Sequence, residues 1–145
     1  MIQRIQTIFL ALASGSFFAH LGIPFLSKSS SDQGLFNDLV YNVQDNIGLL
    51  VVAVLGGIIS ALAILLFNNR PLQSKITYVA VLLAILLPIL AVVFLLQGGY
   101  SLPIEENYSY GAGLFMPVVS MILLFLAARF INKDEKLVRD SDRLR

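Results

Sequence analysis

The run GLLVVAVLGGIISALAILLF, residues 48–67, holds no charge over its whole length. At 1.5 Å per helical residue it covers about 30 Å, the thickness of the hydrocarbon core of a bilayer. Its reading as a membrane span decides the rest. A second uncharged stretch, Ile76–Gln97, follows the short link Asn68–Ser74. Upstream lies a less regular apolar stretch, Ile5–Leu26, interrupted by Ser14, Gly15, Ser16 and His20, with Pro24 near its far end. Downstream lies a fourth, Gly111–Phe130, with Arg129 at its end. The expected fold is an all-α integral membrane protein, a four-helix transmembrane bundle with spans at about 5–26, 48–67, 76–97 and 111–130.

Composition agrees. Charged residues make up 13% of the chain and hydrophobic ones 57%, where a soluble domain is roughly 25% charged. Mean hydropathy is +0.82. Four spans of about 20 residues use most of 145 positions, so residues 1–145 read as a single membrane domain. There is no cysteine, which excludes disulfides, thiolate metal sites and cysteine nucleophiles.

The charges are asymmetric. Of ten Lys and Arg residues, all but Lys28 fall in three segments: Arg4, then Arg70 and Lys75, then Arg129 to Arg145. These segments alternate correctly for one side of a membrane. The other side carries Asp32, Asp38, Asp45, Glu105 and Glu106. Basic residues mark the cytoplasmic face, so both termini are expected inside, N-in and C-in, in a multi-pass protein of the bacterial cytoplasmic (inner) membrane. Tyr41, Tyr100, Tyr108 and Tyr110 fall in the two outer loops, where amphipathic rings settle.

The first outer loop starts polar and then reads Leu35, Phe36, Leu39, Val40 and Val43. This spacing suggests a short interfacial helix capped by Ser31 or Asp32, while Leu39–Val43 also suits a strand. The second, Gly98–Tyr110, reads as an ordered turn. Residues 132–145 form a charged tail with opposite charges four apart, Glu135 with Arg139 and Lys136 with Asp140, so span 4 is expected to continue as a cytoplasmic helix. Arg4 and Ala11-Leu12-Ala13 resemble a leader with a cleavage site, but the apolar run before Ala13 is short and more apolar sequence follows it. The halves share no motif, so an inverted-repeat transporter is not indicated.

Candidate functional residues are few. His20 is the only histidine and the only ionisable residue well inside a span. A proton or ligand role is one reading. A packing role outweighs it, because a neutral imidazole can donate to a carbonyl or hydroxyl of a neighbouring helix. Pro88 and Pro117 each remove a ladder hydrogen bond, freeing the carbonyls of Ala84 and Gly113. Ion binding at such carbonyls is known in broken helices, but a local kink is the commoner result. Small residues recur every four positions, as Ala11, Gly15 and Ala19 in span 1 and Ala53, Gly57 and Ala61 in span 2, with Gly56 and Ser60 alongside. Such faces let helix backbones approach closely. Lys136, Arg139 and Arg143 offer either a topology anchor or a surface for a partner. No Asp or Glu lies in any span, and no catalytic motif, cofactor site or metal-ligand spacing is visible. A mixed-charge tail gives no support to nucleic-acid binding.

Three segments carry a resemblance: Met1-Ile-Gln-Arg-Ile-Gln-Thr-Ile-Phe-Leu10, Asn69-Arg-Pro-Leu-Gln-Ser-Lys75, and Lys133-Asp-Glu-Lys-Leu-Val-Arg-Asp-Ser-Asp-Arg-Leu-Arg145. The chain resembles, over its whole length, a bacterial family of small four-span membrane proteins catalogued as a domain of unknown function. Asp142-Arg-Leu-Arg145 is the most specific part. The chain departs from it at Ser14-Gly15-Ser16, where a smoother aliphatic run is expected. The resemblance implies the fold and brings no activity or site residue. Three functions fit these readings: a non-enzymatic accessory or scaffold subunit docking a membrane partner, a small oligomeric transporter or channel, and a lipid-modifying enzyme using Glu105 and Glu106.

Overall fold

The computed structural model describes residues 3–30, 34–100 and 108–142. It is mostly helical. Four helices account for it: α1 (Gln3–Ala19), α2 (Ile47–Leu65), α3 (Arg70–Gln97) and α4 (Met116–Asp142). They pack in cyclic order, α1 against α2, α2 against α3, α3 against α4 and α4 against α1. The stretches Ile47–Leu65, Arg70–Gln97 and Ala112–Asp140 are long and apolar enough to cross a membrane, whereas the apolar part of α1, Ile5–Ala19, is shorter. Large apolar side chains such as Leu55, Leu62, Leu82, Ile89, Ile122 and Phe125 point outward. That inverts the soluble pattern and suits a lipid solvent.

The helix boundaries have local causes. Asn46 caps α2, its side chain accepting from Gly48 N–H at 2.8 Å. Asn69 caps α3 through Leu72 N–H at 3.3 Å. Pro71 then falls in the first turn, where a missing N–H costs nothing. So α3 starts at Arg70 rather than at Ile76 and runs about 42 Å. It ends with Gly99 at φ +80°, the left-handed position beyond a helix that glycine fills without strain. Pro117 also lies in a first turn, that of α4. The expected kink in span 4 is therefore absent, and Pro117 starts a helix rather than bending one. Pro88 is the proline inside a helix.

The chain is not all-α. Three short strands, β1 (Leu26–Lys28), β2 (Val40–Tyr41) and β3 (Tyr108–Tyr110), form an antiparallel sheet in the order β2-β1-β3. The expected span 1 runs to Leu26, but α1 stops at Ala19, unwinds through tight turns over His20–Ile23 and meets Pro24. Pro24 cannot continue a helix, and its carbonyl instead accepts from Gly113 N–H at 3.1 Å. Gly113 is required there: a Cβ would lie 2.6 Å from the Ile23 and Pro24 carbonyl oxygens. The segment expected as an interfacial helix holds a turn, then β2, then a 3-10 turn at Val43–Asp45. Strand pairing to β1 satisfies its backbone where an isolated short helix would not. The suggested caps Ser31 and Asp32 lie outside the described residues, as does most of the second outer loop.

The small-residue faces behave unequally. On α2, Ala53, Gly56, Gly57 and Ser60 are buried. Phe17 and Phe18 of α1 fill the space above the glycines, so that a Cβ on Gly56 would meet the Phe17 ring at 2.3 Å and one on Gly57 the Phe18 ring at 2.7 Å. On α1 the small stripe faces away, with Ala11 and Gly15 exposed. Rings seated on glycines join α1 to α2, in place of two small faces in contact.

Candidate functional site

Polar side chains are buried together where α4 leaves the other helices. Gln6 of α1 donates through Nε2 to Asp134 Oδ2 of α4. Arg70 Nη1 donates to the Asp134 carbonyl at 3.0 Å. Ser74 Oγ donates to Asn132 Oδ1 at 2.6 Å, and Asn132 Nδ2 donates to the Tyr78 hydroxyl at 3.0 Å. Gln73 Nε2 donates to the Ala63 carbonyl at 2.9 Å. Gln6, Gln73, Ser74, Thr77 and Asp134 are all buried. Such groups are stable only when paired. Thr77 bonds the Gln73 carbonyl within α3, and the other pairings tie α1, α2 or α3 to its neighbour. The layer fixes the direction in which α4 emerges. In the sequence Asp134 is one charge among several in the segment 132–145. Its position was legible: Leu124, Ala127, Ile131 and Asp134 follow one another at steps of three and four, along one buried stripe.

Beyond that layer Lys136 and Arg139 are exposed on α4. Arg139 borders a groove with Asn68, Arg70, Pro71 and Glu135. Leu137 is 53% exposed, an apolar side chain among charges. Arg143 lies outside the described residues.

His20 occupies the unwound turn after α1 and is fully buried. Its Nδ1 lies 2.9 Å from the Ser16 carbonyl. A carbonyl only accepts, so Nδ1 carries the proton and Nε2 presents a lone pair, which has no partner. The ring tilts against Phe25, with centroids 5.8 Å apart. Close by, Ser16 Oγ donates to the Met116 carbonyl at 3.1 Å and Ser120 Oγ to Ser16 Oγ at 2.9 Å. Ser14 Oγ donates to the Gly57 carbonyl at 2.9 Å. The interruption Ser14-Gly15-Ser16 thus fastens α1 to two helices.

Pro88 and Pro117, far apart in sequence, wall one apolar cavity of about 280 Å³. Beside it, Tyr41 donates its hydroxyl to the Ala91 carbonyl at 2.9 Å. Burial, and secondarily the charge of Asp45, pushes the Tyr41 phenol up to about 12. Burial also raises Asp45 above the ordinary carboxylate value, with Asp38 adding to it and the Asn42 N–H bond opposing it. Among the described residues no group of three or more His, Asp or Glu side chains is placed to hold a metal. Glu105 and Glu106 lie outside them.

The family model described as a domain of unknown function (DUF4293) matches residues 2–144. The chain belongs to that family. No curated protein and no solved structure matches it. In this DUF4293 member the described polar groups are mostly paired within the fold, as hydroxyl-to-carbonyl and amide-to-carboxylate bonds. They fasten helices, and among the described residues the buried side-chain nitrogen without a partner is His20 Nε2.

Proposed function

We propose that this chain is a four-span protein of the bacterial cytoplasmic membrane, with both termini inside, that serves as a non-enzymatic accessory subunit. It docks a membrane-protein partner through the end of α4. The observation that carries this reading is the emergence of α4 from the polar layer. Asp134 is clamped by Gln6 and Arg70, and beyond it the same helix presents Lys136, Leu137 and Arg139 to its surroundings. A rigid helix with both charges and an exposed aliphatic residue suits recognition by a second protein. The fourth span is α1, about 25 Å long. Its outward Ile8, Leu12 and Phe18 suit lipid contact, and the unwound segment after it completes the crossing under cover of the sheet. The distribution of Lys and Arg supports the orientation.

Two measurements test this reading. The chain lacks cysteine, so single cysteines at positions 29 and 133 report topology by reaction with an impermeant maleimide on intact cells. Labelling at 29 alone is expected, and labelling at 133 overturns the orientation. Native mass spectrometry of protein drawn from its own membranes in mild detergent is expected to retain a second protein. Lys136→Glu with Arg139→Glu is expected to remove that protein while the variant still inserts. Undiminished recovery of the complex overturns the accessory role.

A small oligomeric transporter or channel is the second reading, favoured by the unpartnered His20 Nε2. It requires a defined homo-oligomer and liposome flux that His20→Ala changes. A strict monomer rules it out.

A further inference from the structure

Along α4 no charge occurs from Met116 to Ala128, and Arg129 is the first. The stripe Leu124, Ala127, Ile131 and Asp134 is buried against the other helices. The side turned away from it carries Ile122, Phe125, Leu126, Arg129 and Asn132, at helical spacing. With Tyr78 of α3 these residues line an open groove of about 540 Å³. It shares no lining residue with the cavity walled by Pro88 and Pro117.

The groove is graded along its length. Ile122, Phe125 and Leu126 make one end apolar, while Tyr78, Arg129 and Asn132 make the other polar. From Asn132 to Ile122 is ten residues of helix, about 15 Å. That is half the thickness of a hydrocarbon core of about 30 Å, the depth of one leaflet. An acyl chain fits the apolar end, and its head group then lies level with Arg129.

The polar end offers donors and positive charge. Ser74 Oγ donates to Asn132 Oδ1 at 2.6 Å, and Asn132 Nδ2 donates to the Tyr78 hydroxyl at 3.0 Å. This relay of donors ends on the Tyr78 hydroxyl hydrogen, which has no acceptor among the described residues. Among those residues no carboxylate is paired with Arg129. Asp134 is turned inward to Gln6, and Glu135 borders the separate groove at Arg70. Lys133, one turn beyond Arg129 and exposed, adds a second positive charge on the same side of α4. A guanidinium is weakly hydrated and matches a phosphate with two parallel N–H bonds. A lipid of net negative charge complements this end, whereas a zwitterionic lipid brings a cation of its own.

We infer that the groove between Tyr78 and the outer side of α4 binds one anionic phospholipid, its phosphate held by Arg129 and the Tyr78 hydroxyl and one acyl chain lying along Leu126, Phe125 and Ile122. The inference rests on the membrane reading and not on what the end of α4 docks.

Full-length protein purified in mild detergent is titrated with phosphatidylglycerol, and separately with phosphatidylcholine, by native mass spectrometry. One phosphatidylglycerol per chain is expected, bound about tenfold more tightly than phosphatidylcholine, as for one charge-assisted contact. Arg129→Gln is expected to erase that preference. Tyr78→Phe is expected to weaken both lipids about fivefold, since both carry the phosphate. Leu126→Trp fills the groove and is expected to weaken both about tenfold or more. Should Leu126→Trp not fold, Ile122→Trp blocks the apolar end from an exposed position and is expected to give the same loss. Unchanged binding in the folded groove variants overturns the acyl part of the site, as does displacement of the lipid by inorganic phosphate. A wild type that binds the two lipids equally, or a preference that survives Arg129→Gln, overturns the role of Arg129. Failure of the protein to sediment with membranes overturns the membrane reading and the site with it. A chain that sediments with them but takes up lipid without a one-to-one step overturns the site alone.

Discussion

The Tyr41 hydroxyl donates to the Ala91 carbonyl at 2.9 Å, across fifty residues of chain. Ala91 is inside α3, one turn beyond Pro88, and Tyr41 belongs to the sheet. This bond pins the sheet to the helices. Tyr41→Phe keeps the ring and removes the bond, and is expected to cost about 1 kcal/mol, the net value of one such bond. A thermal melt in detergent checks it.

The same phenol gives an expectation at high pH. Its pKa is raised to about 12 in the fold from an ordinary 10.0. Between those values the folded state holds the proton more firmly than the unfolded one, so stability falls as pH rises through that window. Titration of tyrosinate absorbance should show a late-titrating component in the wild type that is missing in Tyr41→Phe.

Asp45 points the same way at low pH. Its folded pKa is raised above 3.8, so the protonated form is favoured by the fold and stability falls as pH rises from that ordinary value through the raised one. Asp45→Asn is expected to flatten that slope. It should also weaken the 3-10 turn slightly, since Asp45 Oδ2 accepts from Asn42 N–H at 2.6 Å. Melting temperatures of both proteins from pH 3 to pH 7 provide the comparison.

Two glycines separate side-chain from backbone crowding. Gly56→Ala drives a methyl group into the Phe17 ring and is expected to cost about 1–3 kcal/mol, as for overpacking. Phe17→Leu in the same chain should recover part of that. Gly113→Ala meets the carbonyl oxygens of Ile23 and Pro24. No side-chain substitution relieves a clash with backbone, so Gly113→Ala is expected to be the more damaging and to resist rescue. Folded yield on size-exclusion chromatography distinguishes the two.

Leu39 is a bulky residue at φ +67°, in the turn that leads into β2. The left-handed region costs such a residue about 1–2 kcal/mol. Glycine there avoids that strain but adds about 0.5–1 kcal/mol of unfolded-state freedom. Leu39→Gly is therefore expected to stabilise the protein by up to about 1 kcal/mol, read as a higher melting temperature.

Long uncharged runs such as 48–67 and 76–97 were legible as helices because length and apolarity act through the whole segment. Their exact starts depend on single capping residues, Asn46 and Asn69, which a hydropathy pattern does not register. The sheet was harder to see. Its strands are two or three residues long, and β1 pairs with partners far along the chain at Val40–Tyr41 and Tyr108–Tyr110. Periodicity over so few positions cannot separate strand from helix. The site was legible only in pieces. Pro88 and Pro117 stood out one by one, but their meeting at one cavity is a product of helix packing. The burial of Asp134 was legible in its spacing from Leu124, Ala127 and Ile131, although charges surround it in the sequence.

Two hydroxyls of α1 find partners on later helices. The Ser14 hydroxyl bonds Gly57, whereas among the described residues the Ser16 hydroxyl is bonded to Met116 and Ser120. During synthesis the first helix leaves the ribosome long before residue 120 exists. The Ser16 hydroxyl therefore waits for these partners until the last helix arrives to close the circle. A chain truncated before Met116 would leave the amino-terminal helix without the bonds that join Ser16 to α4.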